Sequence, residues 1–548
     1  MTLLMKSYDL GPFILSRDTG EEVLPSRPLL ALPGDEVKPD GTVVRSLHRG
    51  LVGIVDFRNR TSMGRSKAGV PLYLFHPVDT GYPPFIVGSK EKPDENWFCT
   101  AEFVSWVPGA SWPRGAIQER LGPVGDAKTE RLVLLAAATA ATETHKKETT
   151  EGVGSHPDCS VYKKEPWAAV FHIDPAGCED VDDVLAYKDN DDGSTTWLIG
   201  IADVAAWVPE GSPVDRQAFQ RGQTLYENGT VMTPMLPHIL STFLASLRSD
   251  GSERPVIGLR LVVKDGACCV GGLGPHLGLH LVTVTQTFTY ESVMGTDVGK
   301  KVAALSAALG SASGDSHVWI ETVMVAYNAH VARRLQEAGK GILRRLPAGA
   351  PPYKALAAAT GLAELEHLGG QAGEYCVAST EGDVSHAGLN LPLYCHASSP
   401  LRRYADLLNQ RVLHSLLRPG VAFPAFVSPT HLNHRASVMR RTERDLWLLP
   451  FLSSASKGHE TEGILLESSA EASGPVSIYC PAWRRVMKAK VEGTREPEAR
   501  EPGSREPGSR GLLRVFVDRA CPRLTRRYVC SFEAKTDAAA ADAAAEPI

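Results

Sequence analysis

Three kinds of hydrophobic pattern follow one another along this chain. Up to about residue 135 the apolar runs are short and punctuated by Gly, Pro and Asp. Examples are Pro28-Leu29-Leu30-Ala31-Leu32 before Pro33-Gly34-Asp35, and Leu51-Val52-Gly53-Ile54-Val55. That punctuation predicts two small β-barrels, one over residues 1–70 and one over 71–135. Residues 136–166 are Ala/Thr-rich, then polar, then Gly-rich, and read as a linker. Longer elements fill residues 167–450. The apolar run 196–208 suits a buried strand, with Asp203 inside it in need of a partner. Pro213 opens a helix, and apolar residues at helical spacing between Val323 and Leu335 predict another that ends near Gly339. Alternation returns over 456–536, spaced as in a five-stranded barrel. A charge-balanced repeat at 495–510 interrupts it, and an Ala-rich tail at 537–548 follows; both are expected to be disordered.

Composition narrows this picture only a little. A chain of 548 residues is too long for one core, so three or four domains are expected. A net charge of −5 carries no global signature of a nucleic-acid binder, so any such site must come from local basic clusters. The ten cysteines include no C-x-x-C pair, which argues against a zinc knuckle or a disulfide framework and fits a reducing interior. No run reaches the length of a membrane span, and the first residues lack a sustained apolar region. The expectation is a soluble, intracellular protein without a membrane partner.

Chemistry changes the picture most at residues 171–183, Phe-His-Ile-Asp-Pro-Ala-Gly-Cys-Glu-Asp-Val-Asp-Asp. Five carboxylates fall within ten residues, yet apolar runs border the stretch on both sides. Solvated acidic tracts sit among Lys, Ser and Pro instead. Pro175 and Gly177 supply a bend after a strand. So many like charges in one turn repel each other unless cations neutralise them, and hard divalent ions such as Mg²⁺ take oxygen ligands. The spacing of a helix-loop-helix Ca²⁺ loop is absent. An acidic surface turn is the plainer alternative.

A second constellation is Ser399-Pro400-Leu401-Arg402-Arg403-Tyr404-Ala405-Asp406. Ser399 is a good N-cap and Pro400 a good first helical residue. Leu401, Tyr404, Leu408 and Val412 mark one apolar face, and Pro419-Gly420 stops the helix. Arg402 and Arg403 then fall in the first turn, where cations oppose the helix dipole. Free backbone N–H groups plus two guanidinium ions make an anion site, with phosphate the obvious anion. Arg403 has Asp406 as an alternative partner. Further on, Arg440, Arg441 and Arg444 surround Glu443 on a helix whose charges read by default as a solvated face.

The patterns I-D-P-x4-D-x-D-D and S-P-L-R-R-Y-x-D together resemble the RNB family, that of RNase II, RNase R and the exosome exonuclease. The acidic turn is closest to the eukaryotic exosome type. The resemblance covers nearly the whole chain in family order. It implies a multidomain α+β protein, in which small OB-type β-barrels flank a large α/β RNB catalytic domain. The two N-terminal barrels would be cold-shock-like and the C-terminal one a degenerate OB barrel. The implied activity is Mg²⁺-dependent hydrolysis of single-stranded RNA from its 3′ end to nucleoside 5′-monophosphates, with Mn²⁺ as a substitute ion. Asp174, Asp180, Asp182 and Asp183 would hold metal, and Asp182 and Arg402 would serve catalysis. Tyr226 would stack on a base near the 3′ end, Ser399, Arg402 and Arg403 would meet phosphate, and Glu443 would lie near the exiting nucleotide.

The family stretch around Asp203 usually carries a His before Ile-Ala-Asp-Val and a polar pair after it. Here these positions are Gly200, Ala205 and Ala206. An N-terminal endonuclease domain is not expected. A monomer in the cytoplasm is expected, with the nucleus as the alternative compartment; an exosome-like complex is allowed but nothing in the sequence indicates it. The rival reading is an RNA-binding regulator on a nuclease scaffold, although such a protein should lose acidic ligands first and all four stand here. A metal-dependent phosphatase or DNase would leave the barrels and the Ser399-to-Asp406 match unexplained.

Overall fold

The computed structural model describes three short strands within residues 2–23 and most of residues 30–534. The segments it leaves out are chiefly 24–29, 139–148, 269–275, 348–352, 366–371, 454–457, 468–475, 492–505, 519–527 and 535–548. Two closed five-stranded barrels flank a large mixed domain. The helices are α1 (Ala127–Ala138), α2 (Pro213–Arg221), α3 (Asp297–Ala308), α4 (Ser316–Ala338), α5 (Lys354–Thr360), α6 (Tyr404–Leu417) and α7 (Pro429–Ser453).

The first closed barrel does not begin where the sequence pattern placed it. Leu51–Val55, expected in the unit over 1–70, pairs with Leu72–Pro77 on one side and Trp97–Ser105 on the other. All five of its residues are buried, so it suits only a position with neighbours on both edges. Leu51 and Val55 join Phe75, Phe85 and Val87 in that barrel's core. The described strands before it form an open five-stranded sheet of pieces two to four residues long. Phe98 is fully buried, and Trp97, Phe103 and Trp106 pack on the core, so these aromatics are spent largely on packing. Helix α1 crosses the expected boundary at 135: Val133, Leu134 and Ala138 pack on Val52, Ile54 and Phe98 and on Met439 and Leu446 of α7. The expected linker is also partly structural, because Lys163–Lys164 adds a short parallel strand to the central sheet.

That sheet runs, edge to edge, through Lys163–Lys164, His276–Thr283, Glu253–Lys264, Thr195–Ala202, Asp183–Asp189, Ala169–Ile173 and Gln286–Phe288. Its inner strands are buried on both faces. Phe171, Leu185, Ile199 and Ile257 point into one core with α3 and α4; Val170, Val184, Leu198 and Val256 point into another with α2 and the start of α6. The period of two thus serves two cores, which is why these strands read as near-continuous apolar runs. At Gly200, a Cβ would lie 3.1 Å from both Val184 and Val256, so no larger side chain fits without movement.

The C-terminal barrel closes in the order His459–Glu467, Val476–Cys480, Arg485–Val491, Tyr528–Ala534, Arg510–Val517. The third and fifth strands of the chain are parallel here, as they are in the first barrel. This is the OB arrangement, and its five described strands close. Residues 506–510, expected in the disordered insertion, form a turn and open a strand: Gly508 N–H bonds Leu465 C=O. The rest of that insertion and the tail at 537–548 lie outside the described residues. Among the described residues, no helix is long and apolar enough to cross a membrane.

Candidate active site

The acidic turn leaves the central sheet at Ile173 and re-enters it at Asp183, the first residue of the next strand. Gly177 sits at a φ of +82°, which a turn this tight demands and which other residues rarely adopt. The turn is clamped from behind by a segment some 65 residues away. Ser246 Oγ accepts the Val181 N–H at 3.0 Å and donates to Glu179 C=O at 2.7 Å, and Leu247 N–H bonds Val181 C=O. Arg254 in turn holds Ser246 C=O. Nothing local in the sequence marks Ser246 or Arg254.

Asp174, Asp180 and Asp182 then each find a different partner. Asp174 meets His172 Nδ1 at 2.8 Å, and Thr287 Oγ1 lies 3.1 Å from the other ring nitrogen. His172 precedes Asp174 by two residues on a strand, so the two share a face; this partner was readable from the period of two. Asp180 accepts the Tyr226 hydroxyl at 2.8 Å. Asp182, only 6% exposed, accepts the Leu401 N–H at 2.8 Å, and Arg402 Nε stands 3.5 Å from its other oxygen. Burial pushes the Asp182 carboxyl up to about 7, against the pull of Arg402 and the Leu401 N–H. Burial, then the nearby Asp174 and Asp182, raise Asp183 well above the usual carboxylate range. Like charges in a poorly solvated turn favour the protonated form unless a cation arrives.

The donor set fits a hard divalent ion: all are carboxylate oxygens, and burial and the neighbouring aspartates raise two of them, Asp182 and Asp183. Among the described residues, no three such side chains already converge as a cage. Their carboxylates are turned instead toward His172, Tyr226, Leu401 and Arg402.

The arginine loop takes a shape other than the expected one. Helix α6 starts at Tyr404, not at Pro400, and Arg403 stands extended before it. The reason is competition for backbone: Arg402 C=O accepts the Thr224 N–H, and Tyr404 N–H bonds Gly222 C=O, so neither is left for the helix. Ser399 therefore does not cap α6 with its hydroxyl; its C=O instead closes a turn on the Arg402 and Arg403 N–H groups. Its own N–H bonds Asp406 at 2.7 Å, while its hydroxyl accepts from Arg402 at 3.2 Å. Arg403 pairs with both oxygens of Asp406, at 2.9 and 3.0 Å, so the alternative reading of that residue holds. Arg402 is left 46% exposed at the lip of the acidic turn. Asn328 on α4 braces the approach by accepting the Ala397 N–H and donating to Ser398.

Asp203 finds partners in Tyr162 and His414, both at 2.8 Å. Tyr226 lies on the strand Leu225–Glu227, half-buried, its hydroxyl fixed by Asp180. Glu443 is not brought to this cluster. On α7 its charged neighbours are Arg440 and Arg485, and burial raises its carboxyl.

Residues 167–308 and 297–419 match the RNB domain family. Over 132 residues the chain is 42% identical to exoribonuclease 2 of Serratia proteamaculans, covering 24% of this chain and 20% of that one. Over 489 residues it is 21% identical to the exosome complex exonuclease RRP44 of Homo sapiens, covering 71% of this chain and 48% of the other. The chain thus spans about half or less of the length of these curated relatives. Two solved structures share the fold. Mycoplasma genitalium RNase R in complex with ribose-methylated single-stranded RNA aligns with a TM-score of 0.65 and 17% identity, over 97% of this chain and all of that one. Yeast Ssd1, a pseudonuclease, aligns with a TM-score of 0.62 and 15% identity, over 87% of this chain and 69% of that one.

Proposed function

The chain carries an RNB domain, and from that premise we propose that it is a 3′-to-5′ exoribonuclease acting on single-stranded RNA, with nucleoside 5′-monophosphates as products. One observation carries the reading: Asp182 accepts the Leu401 N–H and faces Arg402, so two motifs 219 residues apart meet on one carboxylate. An acidic surface turn would have no need of such a partner.

Asp174, Asp180, Asp182 and Asp183 are the residues that would hold Mg²⁺, or Mn²⁺ in its place. Bound there, such an ion would supply the means to activate a water and to stabilise the leaving 3′-oxygen. Arg402, exposed and already oriented by Asp182 and Ser399, neutralises charge on the phosphate in flight. Tyr226, its hydroxyl tied to Asp180, offers a ring of fixed direction for a base near the 3′ end. Arg403 acts through Asp406, as a brace of the loop and not as a phosphate ligand.

The second reading is an RNA-binding protein with little or no nuclease activity. It is favoured by the likeness to a pseudonuclease and by carboxylates that are engaged with protein groups. A gel assay of 5′-labelled single-stranded RNA and DNA, with and without Mg²⁺, separates these. Progressive shortening of RNA alone, and only with the ion, is expected. Label appearing first as mononucleotide sinks the polarity; binding without shortening selects the second reading.

A further inference from the structure

Beside the carboxylates lies a second charged cluster that the proposed mechanism does not use. Arg344 sits on the strand Ile342–Arg345, directly across from Tyr375 on Glu374–Val377. Its guanidinium carbon lies 4.6 Å from the centre of the Tyr375 ring. The ring is itself fixed. Asn433 of α7 clamps the Tyr375 backbone from both sides at 2.7 and 2.9 Å, and the Tyr375 hydroxyl meets His396 Nδ1 at 2.8 Å. Arg344 is therefore a positioned cation, not a mobile surface one.

It is also short of counter-charge. Among the described residues, its buried Nη1 has no hydrogen-bond partner. Burial, and after it the Arg440 and Arg403 guanidinium groups, hold its pKa below the usual arginine value against the pull of Tyr375 and Tyr394. Asp406, the nearby acid, is already engaged by two bonds from Arg403. Arg440 is exposed on α7 seven residues after Asn433, two turns along the same face. The strip joins the carboxylate site through His396, whose ring is kept well below its ordinary pKa by burial and then by Arg403, Arg344, His386 and Arg402. Positive groups thus run from Arg402, at the lip of the acidic turn, back to Arg440.

We propose that Arg344 and Arg440 form a binding site for the phosphate of an internal RNA linkage, upstream of the linkage being cut. A guanidinium stacked on an aromatic ring presents a planar fork of donors that matches phosphate oxygens. A phosphodiester there would give Arg344 the negative charge and the acceptor its Nη1 lacks; Arg440 has Glu443 beside it on α7. The strip's continuity with Arg402 selects the substrate's own backbone over a free anion. The inference rests on the carboxylates being an RNA-processing site, and it gives a chain of net charge −5 a local means of holding RNA.

The test uses the full chain, Ca²⁺ in place of Mg²⁺, and fluorescent single-stranded oligoribonucleotides that each carry one uncharged methylphosphonate linkage. In the wild type, one internal linkage should be sensitive, its neutralisation weakening binding about tenfold. Arg344→Met and Arg440→Met should each weaken binding to unmodified RNA and lose sensitivity at that same linkage. The slope of log affinity against log salt should fall by about 0.7 for each variant. Should Arg344→Met melt early, the exposed Arg440→Met reads the same coupling. An unchanged linkage profile in the variants, in a wild type that does shorten RNA with Mg²⁺, overturns this site alone. A wild type that neither binds nor shortens RNA overturns the site and the proposed function together.

Discussion

Helix α6 and the acidic turn both bury ionisable groups, and they do so in opposite ways. In α6 each buried polar side chain meets a partner. Arg411 donates to Asp215 at 2.7 Å, and Tyr404 to the same oxygen at 2.8 Å. His414 pairs with Asp203, Asn409 bonds both backbone groups of Ile342, and Gln410 takes the Val204 and Ala205 N–H groups while donating to Ala202 C=O. Such a network, once satisfied, rigidifies the core it crosses. In the acidic turn, burial and mutual repulsion raise Asp182 and Asp183 instead. Completed burial is a mark of architecture. Burial left short of charge is a mark of a place where something binds.

Breaking the completed network should have the largest effect on stability. Asp215→Ala removes the acceptor of a buried guanidinium and should cost about 3–5 kcal/mol. The urea midpoint of the central domain should fall accordingly, while protein still folded at low temperature keeps its single-turnover rate. A near-wild-type midpoint would mean the network is not what seats α6.

Breaking the incomplete site should do the reverse. Asp182→Asn keeps an acceptor for the Leu401 N–H but deletes a charge that burial already disfavours. Folding should be unimpaired, and RNA affinity in Ca²⁺ equal or tighter. Cleavage should slow by about a hundredfold or more, each tenfold being about 1.4 kcal/mol of barrier. Near-wild-type cleavage would remove this turn from the chemistry.

Tyr226 sharpens the contrast because it touches both functions. Tyr226→Ala should forfeit roughly 1–3 kcal/mol of stacking and change the length of the final undegraded oligonucleotide. Tyr226→Phe, which loses only the Asp180 bond, should leave that length unchanged. A changed end product in the Phe variant would assign the role to the hydroxyl.

The smallest effect is expected at residues 495–505, where composition is charge-balanced and poor in apolar groups. Deleting them while retaining 506–510 should leave the melting temperature and cleavage rate nearly unchanged. A large loss of either would make the repeat part of the barrel.

Much of this molecule is local, and the sequence alone was enough for it. Period-two apolar runs, the Pro213 start and the Gly339 stop follow from side-chain geometry within a few residues, and α2 and α4 lie where those signals put them. The acidic turn needed only its own spacing and its apolar borders to be singled out. Tertiary structure decided what depended on distant partners. The start of α6 moved from Pro400 to Tyr404 because residues 222–224 took the Tyr404 N–H and the Arg402 C=O, which a longer helix would have used internally. Leu51–Val55 went to the later barrel because a strand buried on both faces needs two neighbours, and those lie downstream. Ser246 and Arg254 carry no local signal, since their roles arise from groups tens of residues away. Hydrogen bonds and charges act over a few ångströms of space, and only the fold says which residues share it.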